Sequence, residues 1–216
     1  MKVTQENSSI IPFWFWNGNQ NEAEITRQLE LAAEGGVRGM TLHARRGNQI
    51  EYMSERWLEL FRHACLEARR LGLEIWLYDE EGCPSGTVGE RLPARGRKYQ
   101  QKVLTFAYVP ALQAVSANNE HAFRSESPAD LWQTGSGKGE LIRAFRADVL
   151  SRPVNPADEP PETELLVFSK VYINDYIDAL DREVLDEFLN MTHEVYLREL
   201  GEFFGDPVTA VYTDDL

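Results

Sequence analysis

The chain lacks long apolar runs and any excess of basic residues. No uninterrupted apolar segment of its 216 residues approaches the roughly 20 residues that a membrane-spanning helix needs. Its 22 Lys and Arg residues stand against 35 Asp and Glu residues, which gives a formal net charge of −13. Nucleic acids and anionic membranes attract basic proteins. We therefore expect neither nucleic acid nor a membrane among the partners.

Cysteines are scarce as well. The two that are present, Cys65 and Cys83, have the spacing of neither a disulfide framework nor a zinc site. The N-terminal segment is polar before it becomes apolar, and its apolar stretch is too short for the core of a secretory signal. These observations lead us to expect a cytoplasmic protein.

The first ninety residues contain strands that alternate with helices. Apolar residues recur at helical spacing over residues 22–34 and again from Ser54 to about residue 71. Short apolar runs bounded by turn-forming residues predict strands at 10–16, 39–43 and 73–78. Such alternation predicts a parallel sheet with right-handed crossovers.

This rhythm breaks near residue 95. Two β-like runs and a proline-rich segment follow, and then a strand, a helix that begins at Asp181 and a last strand. The β-like runs cover 102–109 and 141–150, the later strands cover 165–172 and 208–212, and the helix ends near residue 201. We predict three parts: residues 1–94 as the first three βα units of a barrel, 95–163 as an inserted β-rich subdomain, and 164–216 as a continuation of the barrel, truncated after a strand.

The predicted fold class is α/β, of the (β/α)8 TIM-barrel type. A complete barrel typically needs about 250 residues, and the insertion uses roughly seventy of those present. We therefore expect only the first half of the barrel, which makes the chain a fragment. The sheet edges that a half-barrel exposes would favour self-association.

Polar and aromatic side chains follow four of the predicted strands at the point where each strand ends. Parallel strands end at one rim, and barrels carry their active sites there. The residues at these strand ends are Trp16, Asn17, His43, Arg45, Tyr78, Asp79, Glu80, Glu81, Asp214 and Asp215.

The carboxyl groups at these strand ends suit glycoside hydrolysis, which needs one protonated and one ionised carboxyl group. Burial and neighbouring charges are the usual means of separating the two pKa values. We predict Glu80 and Asp215 as the catalytic carboxylates, with Asp79 and Asp214 as residues that support them or as partners of a metal ion. An oligosaccharide or glycoside is the expected substrate. The predicted sugar pocket consists of Trp16, Asn17, His43, Arg45, Tyr78 and Glu81.

We expect no cofactor and assign no metal ligand. Calcium stays an alternative, because hard cations bind clustered carboxylate oxygens, although no EF-hand spacing is present. The glycine-rich segment 135–139 lacks the spacing of a phosphate-binding loop, and we expect a turn there.

Four segments carry a resemblance to a known family: PFWFWNGN at 12–19, LHAR at 42–45, WLYDEEGCPSG at 76–86, and 178–215. Together they resemble the barrel domain of large bacterial glycoside hydrolases of the α-L-rhamnosidase type (glycoside hydrolase family 106) and their uncharacterised relatives. WLYDEEGCPSG is the most specific segment. The resemblance implies a TIM-barrel catalytic domain, metal-independent or calcium-assisted, that cleaves a glycosidic bond.

The chain departs from this family at its last strand. The relatives have Thr-Asp-Glu-Pro there, whereas this chain has Thr213, Asp214, Asp215 and Leu216. The side chain of Asp215 is therefore one methylene shorter than that of a catalytic glutamate at the same position. Two alternatives follow: a barrel relative that binds carbohydrate without cleaving it, and a fragment with no activity of its own.

Overall fold

The structure is a computed structural model that describes residues 9–116 and 140–214. Two compact units are formed, one by Met1–Leu92 with Ala179–Leu216 and the other by Pro93–Asp178. The elements in chain order are β1 (Phe13–Trp16), α1 (Glu22–Glu34), β2 (Gly39–Ala44), α2 (Glu55–Leu71), β3 (Glu74–Glu81), β4 (Gln100–Pro110), α3 (Ala111–Ser116), β5 (Glu140–Arg146), β6 (Val149–Val154), β7 (Glu164–Ile177), α4 (Arg182–Met191), α5 (His193–Leu200) and β8 (Val208–Tyr212).

The first unit is built on a four-stranded sheet in the order β1-β2-β3-β8, and every pair in it is parallel. The predicted parallel sheet of the first three strands and the last strand is therefore confirmed. Within the described residues β1 and β8 are the two edges, so a closed barrel is not formed. The fold is mixed α/β, with one parallel and one antiparallel sheet.

The two faces of the parallel sheet differ in what covers them. Trp14 and Trp16 point towards the helices, and the ring of the fully buried Trp16 lies 5.1 Å from that of Trp57 on α2. Phe13 and Phe15 alternate with them and point to the opposite face. They remain 45% and 44% exposed. We call this second face the aromatic face.

The helices begin where the sequence places polar caps. Ser54 Oγ accepts a hydrogen bond from Trp57 N at 3.2 Å, and Asp181 Oδ1 accepts one from Glu183 N at 3.0 Å. The single helix predicted from Asp181 to residue 201 is wrong, because the chain breaks at Thr192 into α4 and α5. Thr192 has a φ of −126°, outside the helical range, and its hydroxyl donates to the carbonyl oxygen of Phe188 at 2.7 Å.

Strand β3 is longer than predicted, and this changes where its acids lie. The sequence predicts that the strand ends at Tyr78, with the three acids in a loop. In the structure it continues to Glu81. A bulge makes this extension fit, because the register shifts from Leu42 opposite Leu77 to Ala44 opposite Glu81. Asp79 and Glu80 therefore become buried strand residues.

The second unit is an antiparallel sheet in the order β4-β7-β5-β6. The prediction that 165–172 continues the barrel is wrong, because this segment lies in β7 between β4 and β5. The run predicted over 141–150 is likewise a hairpin, in which β5 and β6 are joined at 147–148. Apolar runs of similar composition form parallel and antiparallel strands alike, so the sequence did not distinguish them.

One face of this second sheet is covered and the other carries exposed side chains. The covered face packs around a small cluster of apolar residues: Ala111, Ala114, Ala144, Leu165 and Val167. On the opposite face Leu104, Phe106 and Tyr108 are 64%, 66% and 56% exposed.

No helix of the described part of the chain is long and apolar enough to cross a membrane.

Candidate functional site

Glu80 is fully buried at the carboxyl end of β3 and is bound by backbone amides. Its Oε2 accepts hydrogen bonds from the N–H groups of Thr87 at 2.6 Å and Val88 at 2.7 Å. Its Oε1 accepts from Glu81 at 2.8 Å and Gly89 at 2.5 Å. Burial raises the pKa of this carboxyl, and the four amides act in the opposite direction.

These contacts indicate that Glu80 holds the loop after β3. Val88 has a φ of 56° and Gly89 a φ of 63°, and a left-handed conformation is costly for a β-branched residue such as valine. The carboxylate offsets that cost by accepting the amides that this turn points inward. A catalytic Glu80, as predicted from the sequence, would need a carboxyl group that can reach substrate. Both carboxyl oxygens of Glu80 are buried, and each already accepts hydrogen bonds from two backbone N–H groups. This arrangement therefore favours a structural role for Glu80.

Asp79 is also fully buried, and it joins its own strand to three other segments of the chain. Its Oδ1 accepts a hydrogen bond from the Ser85 hydroxyl at 2.5 Å, and its Oδ2 accepts one from the Thr213 hydroxyl at 2.7 Å. His193 Nε2 at the start of α5 lies 3.3 Å from the same Oδ2. Asp79 therefore connects β3, the loop after it, the end of β8 and a helix.

Asp214 lies on the aromatic face at the end of β8. Its Oδ2 accepts a hydrogen bond from the Tyr78 hydroxyl at 2.9 Å. The Tyr78 ring stacks on Tyr212 at a centroid distance of 5.5 Å, and Phe13 meets Tyr212 edge-on at 5.4 Å. Burial and the Asp214 carboxylate raise the pKa of Tyr78 far above its usual range, so the phenol remains a proton donor. The half-buried Asp214 thus stands beside several aromatic rings.

His43 is the buried polar residue of the same face. Its ring stacks on Tyr78 with centroids 3.7 Å apart. A carbonyl oxygen can only accept, so His43 Nε2–H donates to Gly82 O at 2.7 Å. Burial lowers the pKa of His43, and the neutral ring therefore carries a lone pair on Nδ1. No described residue binds this nitrogen.

Glu81 is half-buried, and no described residue donates a hydrogen bond to its carboxyl group. Burial raises its pKa, Arg91 lowers it, and the nearby charges of Glu90 and Glu51 raise it further. A carboxyl group that is more easily protonated than usual is the kind that serves as a general acid.

Three other predicted pocket residues have different surroundings. Arg45 is exposed, and its guanidinium carbon lies 5.0 Å from the centroid of the Phe15 ring on the aromatic face. Asn17 is exposed directly after β1. The prediction that Trp16 contacts substrate is wrong, because alternation along β1 turns its side chain to the buried helix side.

The structure thus brings Asp214, Tyr78, His43 and Phe13 together on one face. Asp215 lies outside the described residues. Ser85 and Thr213, which bind Asp79, were missed because the sequence presents them only as a turn-forming residue and a strand end. The signal that could have identified them is a Ser or Thr close in sequence to acidic residues, because Ser85 follows Glu81 by four positions and Thr213 directly precedes Asp214.

No group of three or more His, Cys, Asp or Glu side chains among residues 9–116 and 140–214 could hold a metal ion. The acidic stretch also does not fit the calcium alternative, because protein N–H and O–H groups already occupy the oxygens of Asp79 and Glu80.

No protein-family model matches the chain. Over 78 residues it is 33% identical to a protein of Formosa agariphila named "Putative beta-glucuronidase". The matched region covers 34% of this chain and 7% of that protein. Among solved structures, a rhamnosidase from Novosphingobium is similar with a TM-score of 0.36 and 19% identity, over 61% of this chain and 13% of that one. The chain spans a small fraction of both proteins, and a TM-score this low does not establish a shared barrel. It is similar to parts of proteins with glycosidase names.

Proposed function

We propose that this chain is part of a glycoside hydrolase whose substrate lies on the aromatic face, at the carboxyl ends of β3 and β8. The observation that carries the proposal is the hydrogen bond from Tyr78 on β3 to Asp214, which follows the end of the adjacent parallel strand β8. A half-buried carboxylate beside aromatic rings suits a sugar, whose hydroxyls bind carboxylates and whose C–H faces pack on rings. The similarity to a protein named as a glucuronidase supports the same class.

In this proposal Asp214 is the ionised carboxylate that contacts substrate, and Glu81 is the candidate for the protonated partner. Tyr78 holds Asp214 through its hydroxyl, and His43 offers an acceptor lone pair to a sugar hydroxyl. Glu80 and Asp79 shape the site without touching substrate. Asp215, the next residue along the chain, stays a predicted catalytic residue.

Replacing Asp214 tests the proposal. We expect Asp214→Asn to lower the hydrolysis of aryl glycosides by at least about a hundredfold, the usual scale for loss of a group that acts on protons in the transition state. Asp186→Asn is the matched control, because Asp186 is exposed on α4 and pairs only loosely with Arg182 at 3.8 Å. Equal rates for the two variants would remove Asp214 from the mechanism.

The sugar is the finer part of the proposal, and an α-L-rhamnoside is our first choice because of the family resemblance. A β-glucuronide differs by its carboxylate, for which the exposed Arg45 offers a cation on the aromatic face. Hydrolysis rates for aryl α-L-rhamnoside and aryl β-D-glucuronide, each measured with the wild type and with Arg45→Gln, separate these substrates. A rate loss confined to the glucuronide would select the glucuronide.

Binding without hydrolysis is the second candidate function. It is favoured because the carboxyls of Glu80 and Asp79 are used within the protein, which leaves few carboxyl groups for chemistry. Sugar binding by calorimetry with no turnover of any aryl glycoside would select this alternative.

A further inference from the structure

Both backbone polar groups of Asp214 are bound by one residue, Ser85. The N–H of Ser85 donates to the carbonyl oxygen of Asp214 at 2.8 Å. The N–H of Asp214 donates in turn to Ser85 Oγ at 3.0 Å. Two opposed hydrogen bonds from one partner restrict both the position and the rotation of the Asp214 backbone, and therefore the direction in which its carboxylate points.

Ser85 is itself held firmly. It is fully buried, and its hydroxyl donates to Asp79 Oδ1 at 2.5 Å, so the same oxygen donates to one aspartate and accepts from the other. Asp79 holds the neighbouring Thr213 through the Thr213 hydroxyl at 2.7 Å. The end of β8 is therefore fixed at two consecutive residues.

The loop that carries Ser85 is anchored independently on both sides. His43 binds the carbonyl oxygen of Gly82 at 2.7 Å before Ser85, and Glu80 binds the amides of Thr87, Val88 and Gly89 after it. A residue can position another only if it does not move itself. These anchors meet that condition.

We propose that Ser85 is the positioning residue of the site, which fixes the carboxylate of Asp214 against Tyr78 by holding the Asp214 backbone on the buried Asp79. This assignment rests on the proposed role of Asp214 and adds the residue through which that role is set. Ser85 does not touch substrate. Loss of the hydrogen bonds that orient a reacting group lowers activity by about 10- to 100-fold. We expect the loss in kcat, because the orientation of the Asp214 carboxylate changes while the contacts that bind substrate remain.

The experiment compares Ser85→Ala, Asp214→Asn and the double variant, with Cys83→Ser as the matched control on the exposed part of the same loop. Amide hydrogen exchange by NMR reports directly on the Asp214 N–H, and kinetics on an aryl glycoside report on the site. We expect Ser85→Ala to speed exchange at Asp214 at least about tenfold, while Val88, held by Glu80, is unchanged. We expect kcat to fall about 10- to 100-fold with KM nearly constant.

The double variant separates positioning from general stability. If Ser85 acts through Asp214, removing Ser85 from the Asp214→Asn protein costs no further activity, although it lowers the unfolding free energy equally in both backgrounds. Ser85→Thr keeps the hydroxyl and should retain both exchange protection and kcat. If Ser85→Ala does not fold, Ser85→Cys, whose thiol is a weak hydrogen-bonding group, serves for the same measurements.

Two results would overturn the proposal: unchanged exchange at Asp214 in Ser85→Ala, or losses of activity that multiply in the double variant. Failure of the proposed function has a different signature. If the wild type hydrolyses no glycoside, or Asp214→Asn is fully active, the function falls, while the exchange measurement still decides whether Ser85 fixes Asp214.

Discussion

The two sheets of this protein differ in how deeply they bury the same kinds of residue. In the parallel sheet, leucines such as Leu42 are fully buried and the glutamate Glu80 is enclosed by backbone amides. In the antiparallel sheet, Leu104 is 64% exposed, and Glu140 lies at the surface with Arg97, Lys170 and Tyr172 around it. Helices cover one face of the first sheet, whereas one six-residue helix packs on the second.

This difference shows that the chain buries carboxyl groups in the parallel sheet and leaves them at the surface in the antiparallel sheet. A buried carboxylate is tolerated only when it is bound on all sides, so the enclosed acids at the end of β3 define the shape of their loop. A surface carboxylate with cationic neighbours remains solvated and adds little to stability. The parallel sheet can therefore hold a site in a fixed geometry, and matched substitutions in the two sheets test this.

The largest expected effect comes from the pair of glutamates. Glu80→Gln replaces one acceptor oxygen with an NH2 group that faces two backbone N–H donors. We expect the free energy of unfolding to fall by about 4 kcal/mol, measured by urea denaturation followed by circular dichroism. Glu140→Gln should lower this free energy only slightly, because a surface ion pair adds little to stability. A stable Glu80→Gln protein that has lost at least about a hundredfold in turnover would instead restore Glu80 as the catalytic residue.

The leucine pair is expected to give the next largest difference. Leu42→Ala leaves a cavity beneath the helices and should cost about 3 kcal/mol. Leu104→Ala removes a side chain that already faces solvent and should change stability by less than about 0.5 kcal/mol. Urea unfolding of both variants makes the comparison. Equal losses would mean that the exposed face of the antiparallel sheet is covered by something in solution.

The sequence predicted the parallel sheet well because its signals are local. Caps such as Ser54, glycines such as Gly72 with its φ of 69°, and apolar spacing all mark the ends and faces of elements within a few residues. The segment 165–172 was misplaced because an apolar run carries no mark of its partner. Its pairing with β4 and β5 is fixed by contacts across a long stretch of chain.

The candidate site was predicted in part for the same reason. The predicted strand ends led us to expect Tyr78, His43 and Asp214 at one rim of the sheet, and the structure brings the three together. The role of Glu80 depends on a loop that folds back through the left-handed Val88. A valine gives no local indication of that conformation. Trp16 was misassigned because a strand end alone does not say which face the last side chain occupies.

The smallest expected effect is a pH dependence of opposite sign in the two units. Burial raises the pKa of Glu81 above its ordinary 4.5, so the folded state holds this proton more tightly than the unfolded state does. Its contribution to stability is complete below pH 4.5 and is lost as the pH rises through the folded pKa. The hydrogen bond with Lys170 lowers the pKa of Glu140, so its contribution is present above the ordinary pKa and is lost as the pH falls.

Unfolding free energies of Glu81→Gln, Glu140→Gln and the wild type, measured from pH 3 to pH 8, test these signs. Relative to the wild type, Glu81→Gln should gain stability as the pH rises from about 4.5, because glutamine has no proton to lose. Glu140→Gln should show its deficit above the ordinary pKa and lose it at lower pH. The same slope for Glu81→Gln and the wild type would mean that burial does not hold the Glu81 proton, and would remove Glu81 as the candidate proton donor.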